Sequence, residues 1–326
     1  MNKILSIILL MAIGFACTGP EKQPKKTPSD PLPSWVDGKN KSAILDFVKQ
    51  VSDPDSKNFV AIEDRIAVFD NDGTLWIEKP LYIPIEFEMA WIKQAAKANP
   101  DMLKNDLYKG LADNDLSVLK NYNSFELIEL LFAAHQGQLV ADYMQDAATF
   151  LDTAKHQKYD VRYRDLIYQP MVELVTYLQD SDFDVFIVTG GEIDFLRSVS
   201  MEIYNVPPQN VVGSSVKYKY DTENARLLRT EVLGSANDQY VKPANIQLHI
   251  GKKPIFAAGN SDGDYEMMEY TLTSDDPAMA ILVNHDDEER EYDYMHGTER
   301  AVKDAPAQGW RVVSMKNDFK EVFEGK

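Results

Sequence analysis

One cysteine among 326 residues means that no disulfide can close within this chain. The fold must rest on a hydrophobic core, and 44 % hydrophobic residues are enough to build a sizeable one. Basic side chains are also scarce: 34 Lys and Arg face 52 Asp and Glu, leaving a net charge of −18. A field of that sign opposes nucleic acid and anionic lipid headgroups, so neither is an expected partner. It repels phosphate esters as well, and a phosphate site here has to supply local positive charge. No internal repeat of fixed period is visible. The apolar run from Ile4 to Phe15, broken only by Ser6 and Gly14, is too short to span a bilayer as a helix.

That run has another reading. Lys3 precedes it, and Gly14-Phe15-Ala16 lead from it to the sole cysteine, Cys17. A basic start, a short apolar stretch and a small-residue boundary make an export signal. With the cysteine at the boundary, residues 1–17 resemble a bacterial lipoprotein signal, although Gly14 stands where such signals usually carry an aliphatic residue. The resemblance implies a lipid on Cys17 and a place on the periplasmic face of a bacterial membrane. An ordinary cleaved signal would instead release the protein into the periplasm. Residues 18–35, rich in Pro, Lys, Ser and Thr, read as an extended tether.

Beyond the tether, short apolar runs alternate with helical patterns. Arg65-Ile66-Ala67-Val68-Phe69, Asp184 to Val188 and Pro254 to Ala258 read as buried strands. Ala280 to Val283 and Trp310 to Val313 read as two more, and residues 211–220 and 225–232 as a hairpin. Residues 80–163 carry only helical spacing, including a helix with Ser124 as its N-cap. A further helix runs from Ile193 to Tyr204, and the acidic run Asp286 to Asp293 reads as a solvated helix. The pattern predicts an α/β fold: a doubly wound, mainly parallel sheet formed by residues 36–79 and 164–326, with a helical cap domain inserted at 80–163.

In such sheets ligands bind beyond the C-terminal strand ends. Three polar, glycine-containing clusters fall there: Asp70-Asn71-Asp72-Gly73, Thr189-Gly190-Gly191 and Gly259-Asn260-Ser261-Asp262-Gly263-Asp264. Asp70 and Asp72 could share a hard cation, and Mg²⁺ readily keeps waters and a substrate phosphate among its oxygen ligands. The Thr189 hydroxyl and the Gly190 and Gly191 amides suit phosphate oxygens at a helix N-terminus.

Phe-Asp-Asn-Asp-Gly-Thr-Leu at 69–75 resembles the first motif of the haloacid dehalogenase superfamily of phosphatases, and the other two clusters resemble its second and fourth. The order is closest to the phosphoserine-phosphatase-like branch, which carries a helical cap after the first motif. The resemblance implies hydrolysis of a small phosphomonoester, with Asp70 as nucleophile and Asp72 as general acid and base. It implies Thr189 as phosphoryl ligand, Lys242 as the family lysine, and Mg²⁺ on Asp70, Asp72, Asn260 and Asp264. Asn260 stands where the family has an aspartate, so Asp262 is an alternative ligand. Glu78 lies one residue from the place of a substrate-reading carboxylate.

Arg162 and Arg164 could read a substrate carboxylate but fit a solvated linker better. Trp76, Tyr82, Phe87 and Trp91 could cradle a choline group, though core packing is the simpler reading. His285 receives no catalytic role. No protein partner is indicated. The competing readings are phosphoryl transfer to an acceptor other than water, a lipid-anchored protein that binds phosphate esters without turnover, and an extracellular interaction module.

Overall fold

The computed structural model describes residues 30–325. The expected signal, Cys17 and the tether up to residue 29 lie outside the described residues. The far end of that tether belongs to the fold instead: Leu32 and Trp35 are fully buried. The Trp35 indole donates to the Pro170 carbonyl at 2.8 Å and meets the Phe319 ring edge-on. A large aromatic side chain with a partner for its N–H repays burial, and this outweighs the extended character of its neighbours.

Helix α1 (Lys39–Ser52) leads into strand β1 (Ile66–Phe69). The chain then runs through α2 (Ile83–Ala98), α3 (Asp106–Ala112), α4 (Ser124–Ala133) and α5 (Val140–Thr153) before returning through α6 (Gln169–Asp180) to β2 (Asp184–Glu192). Short helices α7 (Ile193–Arg197) and α8 (Ser200–Tyr204) replace the single helix expected there. The hairpin of β3 (Val211–Asp221) and β4 (Arg226–Ser235) follows. Next come α9 (Val241–His249), β5 (Phe256–Gly259), α10 (Tyr265–Leu272) and β6 (Met279–Asn284). Helix α11 (Glu299–Gln308), β7 (Arg311–Ser314) and α12 (Met315–Asp318) end the element order.

The seven strands form one sheet in the order β4-β3-β2-β1-β5-β6-β7, parallel throughout except for β4. Alternate residues of the central strands enter different cores. Ala67, Phe69, Ile187 and Ala258 pack on one face, and Ile66, Val68, Val188 and Ala257 on the other. Burial on both faces is why these strands read as unbroken apolar runs. The chain winds outward from β1 to one edge, then returns to its other side with β5. The switch point therefore lies beyond the C-terminal ends of β1 and β5.

Helices α2 to α4 share a separate cluster of Ile92, Leu107, Leu111, Leu131 and Phe132, joined by Val216 of the hairpin. The first residue of α4 is Ser124; the cap is Asn123, whose side chain accepts from the Glu126 N–H while Glu126 reaches back. Strand β4 supports the insertion, as Gly137 N–H donates to the Arg229 carbonyl and Arg229 N–H to that of Gln138. The acidic run from Asp286 is not helical; Asp286 and Asp293 instead form an isolated antiparallel bridge. Among the described residues no helix is long and apolar enough to cross a membrane.

Candidate functional site

Asp70 follows β1 directly and ties back to the sheet through its N–H, which donates to the Ala258 carbonyl at 2.9 Å. The chain then curls tightly: the Asn71 carbonyl accepts from the N–H groups of Thr74, Leu75 and Trp76. Gly73 takes φ +76°, and a Cβ there would lie 2.0 Å from Asn260 Nδ2. Glycine is required at this position on both counts. The curl resolves how two carboxylates two residues apart on an extended chain can serve one cavity, which Asp70 and Asp72 both line.

Lys242, from the first turn of α9, enters beneath them. Its Nζ donates to Asp70 Oδ1 at 2.7 Å and to Asp264 Oδ1 at 2.6 Å, with all three side chains almost wholly buried. Burial works against the ammonium charge, yet Asp264 and Asp70 hold Lys242 above the ordinary lysine range. Burial likewise pushes the Asp70 carboxyl well above the usual carboxylate range; the charge of Asp264 adds to this and Lys242 opposes it. The lysine keeps Asp70 Oδ1 occupied and leaves Oδ2 as the oxygen available for chemistry.

Burial pushes Asp72 up to about 6, offset in part by the indole N–H of Trp76, which donates to Oδ1 at 2.9 Å. That bond favours the charged carboxylate. Trp76→Phe removes it, so the Asp72 pKa is expected to rise further, and carboxyl titration followed by NMR checks the direction.

Thr189 and both glycines lie on β2, which continues through Glu192. Helix α7 begins at Ile193, as expected, with Glu192 as its N-cap, so Gly190 and Gly191 belong to the strand that leads into it. Gly190 and Gly191 line the cavity. Thr189 is buried beneath them, its Oγ1 accepting from the Gly191 N–H at 2.9 Å, which leaves its own proton free to donate. A Cβ on Gly191 would meet Thr189 Oγ1 at 3.2 Å and Asp72 Oδ2 at 3.5 Å, so these groups converge on one point.

The fourth cluster departs most from expectation. Asp264 is not a free metal ligand: besides Lys242 at Oδ1, its Oδ2 accepts from Asn260 N–H, Ser261 N–H and the Ser261 hydroxyl. A carboxylate satisfied on both oxygens orients the lysine instead. Asp262 lies off the site, accepting from the N–H groups of Arg300 and Ala301 in the first turn of α11. Asn260 is buried as a hub, taking the Thr74 hydroxyl on Oδ1 and donating from Nδ2 to Glu78, each at 3.3 Å. Glu78 is buried at the cavity wall with Lys79 Nζ 3.4 Å away.

Among the described residues no three His, Cys, Asp or Glu side chains converge as a metal-holding group. The donors that do face the cavity suit Mg²⁺ nonetheless. Asp70 and Asp72 offer hard carboxylate oxygens there, and Mg²⁺ takes water or phosphate for the rest; Asn260, expected as a ligand, has its amide oxygen engaged by the Thr74 hydroxyl. The carboxylates of Asp70, Asp72, Asp264 and Glu78 outnumber the one Lys242 charge, an excess that a divalent cation offsets.

His285, given no role from sequence, braces the curl. Its Nε2 donates to the Gly73 carbonyl at 2.7 Å, and Nδ1 faces Glu291 Oε2 at 3.1 Å; Tyr168 donates to the other Glu291 oxygen. Both His285 and Glu291 side chains are fully buried. The only sequence signal was position, just past β6 and on the same edge as Asp70. His285→Ala strands the Gly73 carbonyl and takes one partner from Glu291, which keeps the Tyr168 hydroxyl and the Tyr292 N–H, a loss of about 1–3 kcal/mol for the unsatisfied buried group. Thermal melting is expected to show that loss, and kcat to fall with KM little changed. His285→Gln, which restores a donor to Gly73, is expected to recover kcat.

Lys252 and Lys253 are outside the site, bonded to Asp64 and Thr273. Arg162 pairs with Asp165, and Arg164 with Asp152 and Glu202.

The haloacid dehalogenase-like hydrolase family model matches residues 67–269. No curated protein matches the chain. Among solved structures, a conserved protein of unknown function from Anaerococcus prevotii is similar with a TM-score of 0.55 at 12 % identity, covering 84 % of this chain and 91 % of that one. A protein of unknown function from Bordetella pertussis gives 0.49 at 15 %, covering 76 % and 97 %. A phosphoserine phosphohydrolase-like protein from Francisella tularensis gives 0.38 at 16 %, covering 76 % and 94 %. At such identities the likeness is one of fold.

Proposed function

Since the chain belongs to the haloacid dehalogenase-like hydrolases, we propose that it hydrolyses a small phosphomonoester through an aspartyl-phosphate on Asp70, with Mg²⁺ as cofactor. The observation that carries this reading is the Lys242 ammonium bridging Asp70 and Asp264 at 2.7 and 2.6 Å beneath a cavity that Asp72 also lines. A binding site alone needs neither a half-engaged carboxylate nor a second one poised near neutrality.

In the first step Asp70 Oδ2 attacks phosphorus and the ester P–O bond breaks. The departing oxygen takes the proton of Asp72, so a neutral alcohol leaves. In the second step Asp72, now a carboxylate, takes a proton from water. The water oxygen attacks phosphorus, the bond to Asp70 breaks, inorganic phosphate leaves and Asp72 is again protonated. The Thr189 hydroxyl and the N–H groups of β2 hold the equatorial phosphoryl oxygens, and Lys242 offsets charge on Asp70. Mg²⁺, held by Asp70 with water and phosphate oxygens, would supply charge stabilisation on the phosphoryl group, leaving the Asp72 carboxyl for the proton. Helices α2–α5 act as the cap that excludes bulk water.

Phosphate release from p-nitrophenyl phosphate by the full chain tests this reading. Activity is expected to vanish with chelator and return with Mg²⁺; metal-independent release would count against it. The export reading joins this proposal: the chain is lipidated at Cys17 and faces the periplasm. Expressed in a bacterium fed labelled palmitate, the full chain is expected to take up label and Cys17→Ser to lose it.

A further inference from the structure

We propose that the alcohol esterified to the phosphate is largely apolar and carries no anionic group, an inference that rests on the site being a phosphomonoester hydrolase. The cavity beyond Asp70 has a volume of about 280 Å³. That is near the lower end of ligand pockets, about 300–1,000 Å³, and suits a small organic alcohol. Its wall on the helical insertion is mostly hydrocarbon: Ile85 of α2 with Leu127, Ile128, Leu131 and Phe132 of α4, interrupted by Glu88. Ile85, Leu127 and Ile128 are only partly buried, so part of their surface is left for an apolar ligand to cover. Covering it is favourable, each buried methylene being worth about fourfold in binding.

Charge points the same way. Among the residues lining the cavity Lys242 is the single cation, and both of its close partners are carboxylates of the site. Apart from Lys242, Asp70, Asp72 and Asp264, the charged lining groups are Glu78, Glu88, Glu192 and Asp238, all of them acidic. The basic side chains nearby are engaged by acidic partners. His135 closes on both oxygens of Glu88 at about 3 Å. Arg229 lies behind the wall, fully buried, bonded to Glu192 and Asp194 and stacked 3.7 Å from the Tyr143 ring. Lys79 faces Glu78 and lies over the Tyr294 ring. A carboxylate or second phosphate on the alcohol would be desolvated among like charges with no donor cation, which is strongly unfavourable. The alcohol must therefore be neutral or cationic, and the hydrocarbon wall selects one with an apolar body.

The test compares kcat/KM for ethyl, butyl and hexyl phosphate, phosphoserine and glycerol 3-phosphate on the full chain with Mg²⁺. The expected result is a rise toward fourfold per methylene along the alkyl series, with hexyl phosphate at least a hundredfold better than phosphoserine. Ile128→Asn, at a half-buried position of the wall, is expected to lower the hexyl value by about tenfold and to flatten the slope of the alkyl series. Phosphoserine turned over as well as hexyl phosphate would overturn the inference, as would an alkyl series without slope. Should no ester be hydrolysed, the hydrolase reading fails, and calorimetry with non-hydrolysable hexylphosphonate and 2-amino-4-phosphonobutanoate decides the ligand class separately. Tighter binding of hexylphosphonate supports the inference, and equal or reversed affinities overturn it.

Discussion

Asp70→Asn is expected to leave a folded protein whose phosphate release is lowered by at least about a thousandfold, as loss of a covalent nucleophile does elsewhere. An amide at this position has no anionic oxygen to attack phosphorus, and its oxygen can still accept from Lys242. The buried carboxyl is already held well above its usual range by burial and by Asp264, so removing its charge does not undermine the fold. Thermal melting should therefore stay at or above the wild-type midpoint. A second readout separates chemistry from binding: wild type quenched in acid during turnover of a ³²P-labelled ester should retain label on protein, and Asp70→Asn should retain none. Retained label in the variant would place the nucleophile elsewhere.

The second large effect depends on the leaving group. Asp72 sits at about 6, pushed there mainly by burial, so it is protonated below that pH and ionised above it. The first step needs its proton; kcat/KM for an alkyl phosphate should fall as pH rises through the Asp72 ionisation, which a cation on Asp70 would lower from this value. An aryl ester leaving as p-nitrophenolate needs no proton and should lack that limb. The nitrophenyl group lowers the second ionisation of its phosphate relative to the alkyl ester, so each kcat/KM is first referred to the dianion, and the ratio of the referred values isolates Asp72. Asp72→Asn is expected to cost about 10²–10⁴ in kcat/KM for the alkyl ester, to cost far less for the aryl ester, and to flatten the ratio across pH. Equal losses for both substrates would mean that Asp72 does not donate the proton.

Local physics carried much of the reading. Strands buried on both faces are apolar without interruption, and β1, β2 and β5 were legible for that reason. Each cluster after them was legible because polar residues and glycine interrupt an apolar run only where the strand leaves the core. Asp70 and Asp72 were placed on that basis, whereas Lys242, which bonds Asp70, was named only through the family resemblance. Short-range rules misjudged the elements whose fate is set by distant partners. Trp35 looked like tether but is buried by Pro170 and Phe319. The strand read as ending at Val188 runs on through Glu192, because Val188 and Glu192 both pair with β3. The acidic run after His285 looked helical, yet Glu291 is drawn inward by His285 and Tyr168.

By itself the sequence determined the α/β alternation, the helical insertion after the first strand and the edge on which the site lies, because apolar period and strand termination are properties of neighbouring residues. Only the tertiary structure decided what each acidic group there is for. Asp264 orients Lys242, Asp262 caps α11, Asn260 ties Glu78 to the curl, and His285 holds the Gly73 carbonyl. A carboxylate becomes ligand, acid, cap or strut according to which donors reach it, and those donors arrive from elements tens to hundreds of residues away.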